Sequence, residues 1–254
     1  MLRALFSLAL LSLPLGLLPA QSLVFNLVPA SSVLVGSGSF NSIAFTPQGS
    51  GADRTQWMGQ VTVQFDNLSN PTSLQITTGT FSALNSGTWQ PGIGGPTGSA
   101  PANYGFNVNL GIATGRIAIR DTVTQASMAG PTSVSNNGGG LYTFGISGIT
   151  TLHADAIGGS VDYNAGVLGN GTTPTTGGGD NMTLGAGQLT ISGMVATINL
   201  PVDFTFNGTA GGFPTTFRIV GNLVGTATIP EPSTWCLLGL GALAFAGSRR
   251  GRQS

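Results

Sequence analysis

The sequence has 254 residues with eight basic and eight acidic side chains, so its formal net charge is zero. Between residues 21 and 228, four arginines accompany seven aspartates, and such a weakly acidic segment offers no basic patch for a nucleic acid. The only cysteine, Cys236, lies outside that segment, which excludes a disulfide scaffold and thiol chemistry within it.

Residues 1–20 are typical of a secretory signal peptide. Arg3 forms a short basic region, the apolar stretch Ala4–Leu18 follows, and Ala20 supplies the small residue expected at a cleavage site. We expect cleavage after Ala20, and no cysteine follows that would indicate a lipoprotein signal. Residues 21–228 then have the length of one extracellular domain.

Alternation of apolar and polar residues dominates residues 21–228 and predicts half-buried strands. Every second residue of Ile198–Phe206 is apolar, and Pro201 places this strand at an edge or a bulge because proline has no backbone N–H. No segment between the terminal signals shows a helical period. The pattern predicts an all-β fold, an antiparallel sandwich or barrel of roughly ten strands. The other predicted strands are Leu23–Val28, Ser32–Phe40, Gln60–Asp66, Ser73–Phe81, Phe106–Ile112, Arg116–Arg120, Leu141–Ile149, Leu184–Ser192 and Thr216–Thr226.

Two segments rich in glycine and proline or threonine, Asn85–Asn103 and Gly169–Asn181, are predicted to be surface loops. The sequence contains no internal repeat of fixed period, which argues against a propeller or a solenoid.

Few residues are available for catalysis. His153 is the only histidine, and on a strand Asp155 would share its face. A serine hydrolase also needs an oxyanion site, and the Gly-x-Ser-x-Gly nucleophile elbow does not occur. A solvated or hydrogen-bonded histidine is the simpler interpretation, so we predict no catalytic residue. A secreted hydrolase that uses His153 is the alternative.

The sequence also predicts no metal site and no cofactor. Transition metals need clustered histidine, cysteine or carboxylate ligands, and residues 21–228 contain one histidine and no cysteine. Gly177–Asn181 resembles a calcium-binding Gly/Asp repeat, but it occurs once and lacks the spacing of such repeats. A flexible loop is the alternative there.

Three aromatic residues are candidate glycan contacts. Trp57, Trp89 and Tyr104 lie in or beside segments rich in glycine and proline, where an aromatic ring can stay exposed. Sugar rings stack on such exposed faces. The alternative, which we favour, is that the three rings cap the ends of a β core.

The C-terminal segment, residues 229–254, combines three features in a fixed order. Pro230, Glu231 and Pro232 form a short polar motif that contains the only glutamate of the chain. An apolar run follows, shorter than the ~20 residues that a spanning helix usually needs. A cluster of arginines comes last. The predicted membrane residues are Trp235, Leu237, Leu238, Leu240, Leu243 and Phe245, and the basic residues are Arg249, Arg250 and Arg252.

This order of features resembles the PEP-CTERM sorting signal of bacterial surface and exopolysaccharide-associated proteins. The resemblance implies that an exosortase, a membrane-embedded protease, cuts at or near the Pro-Glu-Pro motif. The positive-inside rule keeps the arginines in the cytoplasm and leaves Glu231 at the outer face. Because the last predicted strand continues almost directly to Pro230, we expect the domain to lie close to the membrane before cleavage. A C-terminal anchor that is never cut is the alternative.

Together the two terminal signals predict an exported protein. The scarcity of catalytic residues predicts that it is not an enzyme. It is expected to be anchored transiently in the inner membrane and then to reach the cell surface or the extracellular matrix. The expected partners are an exosortase and the inner membrane, with exopolysaccharide or biofilm material as a further candidate and no nucleic acid. The alternatives are a carbohydrate-binding or adhesin module and a secreted hydrolase.

Overall fold

The computed structural model describes residues 20–145, 151–175, 177–184, 186–210 and 212–230. They form eighteen β-strands and two 3-10 helices of three residues each, so the prediction of an all-β, antiparallel chain is confirmed. The strands are β1 (Gln21–Leu27), β2 (Val33–Phe40), β3 (Ile43–Ala44), β4 (Thr46–Pro47), β5 (Arg54–Phe65), β6 (Ser73–Ala83), β7 (Gly87–Trp89), β8 (Ala100–Ala102), β9 (Tyr104–Asn109), β10 (Thr114–Met128), β11 (Thr132–Asn136), β12 (Leu141–Phe144), β13 (Thr151–Asn164), β14 (Asn170–Pro174), β15 (Gly177–Leu184), β16 (Gly187–Ser192), β17 (Val195–Ala210) and β18 (Phe213–Thr228). The 3-10 helices are Pro29–Ser31 and Gly166–Leu168.

Hydrogen bonding between strands closes the main sheet on itself in two circuits of eight strands. One circuit runs through β1, β5, β6, β11, β12, β16, β17 and β18 and returns to β1. The other runs through β2, β5, β6, β10, β13, β15, β17 and β18 and returns to β2. The long strands β5, β6, β17 and β18 belong to both circuits. Each circuit therefore forms one end of a closed antiparallel sheet.

β1 and β2 act as one interrupted strand between β5 and β18. β1 pairs with residues 60–65 of β5, and β2 pairs with residues 54–56. Between β1 and β2 the register shifts by three residues against both neighbours, which is the length of the turn Pro29–Ser31. Proline starts this turn because it has no N–H to offer to a strand ladder.

β15 and β16 likewise follow one another along one side of β17. β16 pairs with Val195–Asn199 and β15 with Val202–Asp203, so Pro201 lies opposite the gap between them. On the other side, β17 pairs with β18 throughout, including Pro201 with Asn222. The sequence prediction of an edge strand or a bulge is therefore wrong, because β17 has neighbours on both sides and keeps its register with β18. The structure accommodates Pro201 by a gap in one ladder, since its nitrogen cannot donate.

Alternate residues of the strands enter one continuous hydrophobic core. In β17, Ile198, Leu200, Val202 and Phe204 are all buried, as the period of two predicts. Trp57 packs edge-on against Phe204, with 6.2 Å between the ring centroids. Such buried aromatic rings supply a large share of the apolar area that stabilises a core.

The prediction of a surface loop is wrong for Gly169–Asn181, which contains β14 and the beginning of β15, both paired with β13. Asn85–Asn103 is a loop over most of its length, as predicted, but it also carries the small sheet β7–β8. Glycine and threonine without apolar alternation carry no period-two signal, yet their backbone groups still form ladders. The same effect hides β13, in which alanine and glycine occupy positions 154, 156, 158 and 159. The structure therefore has more strands than the ten expected.

The two circuits define the two ends of the closed sheet. The exit end is the part formed by the first circuit, with the β5–β6, β11–β12 and β16–β17 turns. Gln21 pairs there with Phe65, and Thr228 pairs with Val195, so the domain begins and ends on the same side. The far end is the part formed by the second circuit, with the β9–β10 and β13–β14 turns.

Candidate functional site

The polar motif of the C-terminal segment begins directly at the edge of the folded domain. The ladder between β17 and β18 continues to Thr228, and the backbone N–H of Ile229 donates to the carbonyl oxygen of Met194 at 2.7 Å. Ile229 also packs against the core, whereas Pro230 is exposed. Because Pro230 has no N–H, the ladder ends at the residue before it. The expectation that no linker separates domain and motif is confirmed up to Pro230.

The rest of the motif, Glu231 and Pro232, lies outside the described residues, as do the predicted membrane residues and the arginine cluster. The predicted signal peptide lies outside them too, except for Ala20. Within the described part of the chain, no helix is long and apolar enough to cross a membrane. The predicted short membrane helix falls beyond that part.

Asp66 is the one charged side chain at the exit end among those that the structure describes, and its own loop uses it fully. Its carboxylate accepts the backbone N–H groups of Asn67, Thr72 and Ser73 at 2.9–3.1 Å, and the hydroxyl of Thr72. Burial alone would raise the pKa of Asp66, but these hydrogen bonds outweigh it and hold the pKa below its usual value. Asp66 thus stabilises the β5–β6 loop through these hydrogen bonds.

A polar cluster at the far end surrounds the fully buried Asp162. Its carboxylate accepts hydrogen bonds from Arg120 Nε, from the hydroxyl of Thr172, and from the N–H of Gly94 at 3.1 Å. Arg120 also donates from Nη1 to Asp121 at 3.0 Å. The hydrogen bond and charge of Asp162 raise the pKa of Arg120, so the guanidinium stays charged.

This cluster has the pattern of a structural support rather than of a reactive site. A guanidinium, a hydroxyl and an amide already occupy the acceptor positions of Asp162, so its carboxylate has little capacity left for a substrate. It ties the β7–β8 loop and β14 to the sheet. Sequence reasoning did not find it, because its members lie far apart in the chain and no local spacing connects them.

Two of the three candidate glycan contacts have no exposed ring. Trp57 and Tyr104 are each 0 % exposed, and Trp57 Nε1 donates to the Tyr104 hydroxyl at 3.1 Å. Burial raises the pKa of Tyr104, which keeps that hydroxyl neutral. The less favoured interpretation, an exposed ring, is wrong for both residues, because β5 and β9 direct these rings into the core. Both act as core residues, as the favoured interpretation stated.

Trp89 differs from these two because its side chain stays partly exposed. Its indole lies on two glycines: a Cβ atom built on Gly87 or Gly105 would come within 2.6 and 2.4 Å of ring atoms. Its Nε1 is buried and, within the described residues, has no hydrogen-bond partner. The ring therefore packs against the backbone at two glycines, and its one donor lies below the surface.

His153 lies on β13, where its backbone pairs with Ser127 of β10 and Asn181 of β15. Its side chain, like that of Asp155, lies outside the part that the structure describes. The side chains of Gly177–Asn181, where calcium was considered, lie outside it too. Among the described residues no group of three metal-ligating side chains occurs.

Comparison with known proteins adds one finding. Residues 228–250 match the family described as the PEP-CTERM protein-sorting motif. No curated protein matches the chain, and no solved structure matches it. The match covers the C-terminal segment alone, and it identifies no family for the domain. The chain thus carries a PEP-CTERM sorting motif, which implies export, processing by an exosortase and sorting to the cell surface.

Proposed function

We propose that this chain is a non-enzymatic protein of the bacterial surface or extracellular matrix. Its closed β domain is exported, anchored transiently in the inner membrane by the segment after Pro232, and released by an exosortase to join exopolysaccharide or biofilm material. The domain is then the mature protein, and the last ~20 residues serve only for sorting before they are removed.

One observation carries this proposal. The sorting motif at 228–250 overlaps the last residue of β18, and Ile229 is still hydrogen-bonded to the domain. A cut after Pro230 leaves every strand of the closed sheet intact. A cut before Thr228 would remove part of a strand that pairs along its whole length with β17.

The test is the intact mass of the protein recovered from the surface and the medium of its native host. We expect chains that end between Pro230 and Pro232. The Glu231→Ala variant, which removes the only glutamate, should keep the C-terminal segment and remain with the membrane fraction. Wild-type protein that retains Trp235–Ser254 would contradict the proposal and favour a permanent anchor.

Carbohydrate binding is a second candidate function, and Trp89 is the observation that favours it. A partly exposed indole that lies against two glycines suits stacking on a sugar ring, and the contact is the exposed part of the ring because Nε1 is buried. Of the three candidate residues that the sequence suggested, Trp89 alone has a partly exposed ring.

Retention of the purified domain on exopolysaccharide from the host tests that candidate. Trp89→Phe keeps a smaller aromatic ring for stacking, whereas Trp89→Ala removes the ring. Graded loss, larger for alanine, is expected if the indole binds sugar. Equal retention of all three proteins would remove carbohydrate binding at this site.

A further inference from the structure

The exit end has an outer surface that the sorting motif alone does not explain. Val24, Met194 and Val195 are each 48 % exposed there. Val195 pairs with Thr228, and β1, which carries Val24, pairs with β18 on its other side. The two valines therefore lie on the outer face of strands that flank the end of β18, and Met194 lies in the adjoining turn. We call Val24, Met194 and Val195 the exit patch.

Chain length places this patch near the membrane. Five residues, 230–234, separate Ile229 from Trp235, where the apolar run begins. Trp235 is six residue steps from Ile229, so a fully extended connection spans at most about 22 Å. The hydrogen bond of Ile229 to Met194 holds the start of this connection on the domain. Gln21, which follows the predicted signal peptide, also lies at the exit end.

The charge distribution agrees with that position. Among the described side chains, the charged residues of the two circuits lie at the far end, with the exception of Asp66. The turns of the exit end are instead rich in Asn, Ser and Gly, as in Asn67–Asn70 and Asn136–Gly140. Uncharged amides and hydroxyls can hydrogen-bond to lipid headgroups, and exposed valine and methionine can enter the boundary below them.

We propose that the exit patch docks on the lipid surface while the C-terminal segment is anchored, and so holds the Pro-Glu-Pro motif at a fixed height for processing. This inference rests on the proposed function only in requiring that the C-terminal segment enters a membrane. The occupant is the bilayer itself rather than the protease. The contact ends when the segment is cut.

A fluorescence-quenching experiment tests the docking without any protease. The full chain with Cys236→Ser receives an environment-sensitive label at Met194→Cys or, as a control, at Leu168→Cys. Leu168 lies in the β13–β14 turn of the far end and has the same exposed fraction, 48 %. Both proteins are reconstituted in vesicles whose lipid headgroups carry a nitroxide label. The vesicles contain phosphatidylethanolamine and anionic phosphatidylglycerol at about 3:1, to imitate a bacterial inner membrane.

We expect the label at residue 194 to lose most of its fluorescence and the label at residue 168 to lose little. Equal quenching at the two sites, or stronger quenching at residue 168, would overturn the proposal. Because no processing takes place in vesicles, a failure of exosortase cleavage in the host would leave this result unaffected.

A second pair of variants separates docking from simple tethering. Val24→Asp and Val195→Asp add charge at exposed positions, so unfolding midpoints in urea should stay near the wild-type value. Quenching at residue 194 should fall in these variants if the patch contacts lipid. Unchanged quenching would mean that the tether alone brings the domain close, and would overturn the docking role. Loss of processing in the host without any quenching in vesicles would assign the patch to the protease instead, which also overturns the proposal.

Discussion

The two ends of the closed sheet differ in their number of charged side chains, among those that the structure describes. The far end holds the buried Arg120–Asp162 pair, the exposed Arg218–Asp203 pair and the β7–β8 loop that covers Asp162. The exit end has Asp66 as its one described charge, and its outer face carries the exit patch. The two ends differ in charge and not in exposed apolar surface, since Ile112 and Val167 in the far-end turns are 77 % and 84 % exposed. The low charge of the exit end and its position beside the sorting motif are what favour that end for contact with lipid.

The comparison of the two ion pairs and of the loop carboxylate predicts that burial and the number of hydrogen bonds set the effect of a substitution on stability. Four variants test this, in order of decreasing effect on the free energy of unfolding.

Asp162→Ala should have the largest effect. It leaves the guanidinium of Arg120, the hydroxyl of Thr172 and the N–H of Gly94 without their shared acceptor. Removing one partner of a buried ion pair costs about 3–5 kcal/mol. Urea unfolding measures this loss. The double variant Arg120→Met with Asp162→Leu should lose less than Asp162→Ala alone, and a larger loss would show that the pair itself, rather than the stranded charge, stabilises the domain.

Trp57→Phe should come second. It removes the donor to the Tyr104 hydroxyl and leaves a small cavity beside Phe204, for about 2 kcal/mol in total. The change is measured by thermal and urea unfolding, with Trp89→Phe as the matched control. Trp89 is partly exposed and its Nε1 has no partner, so its substitution should cost less. Equal losses would contradict the distinction between a core ring and a surface ring.

Asp66→Asn should cost about 1 kcal/mol near neutral pH, because the amide is a weaker acceptor for the loop N–H groups. The pKa of Asp66 is lowered in the folded state, so its contribution is complete above the unfolded pKa of about 3.9. That contribution disappears as the pH falls through the lower folded pKa. Wild type and variant should therefore converge in stability in acid. A constant difference down to the lowest pH would show that the charge is irrelevant.

Arg218→Gln should have the smallest effect. Arg218 Nε donates to Asp203 at 2.7 Å across β17 and β18, and this bond lowers the pKa of Asp203. Both side chains are well exposed, and such surface pairs contribute about 0–1 kcal/mol, less at high salt. An effect as large as that of Asp162→Ala would contradict the view that burial makes the difference between the two pairs.

The sequence predicted the parts of the fold that depend on local alternation. Strands such as β17 can be recognised from the sequence because the apolar residues at 198, 200, 202 and 204 face the core and the residues between them do not. The effect of proline is local too, because its missing N–H interrupts a ladder at Pro201 and ends one before Pro230. The C-terminal motif is also a local pattern, which is why it could be identified without the structure.

The rest depends on contacts between residues distant in the chain. The closure of the sheet needs β1 to reach β18, and Asp162 needs Arg120 and Gly94. Glycine-rich β14 and β15 form through backbone bonds that no side-chain period reports. Trp57 and Tyr104 were placed among exposed candidates because glycine and proline near them suggested loops, whereas their strands direct both rings inward.

The folded domain ends where the sorting motif begins, and the intact mass of the native protein tests this most directly. We predict a released chain that ends between Pro230 and Pro232, with β18 and Ile229 complete. We also predict that a Glu231→Ala chain stays uncut in the membrane fraction. A released chain that ends before Thr228, or a wild-type chain that keeps Trp235–Ser254, would contradict it.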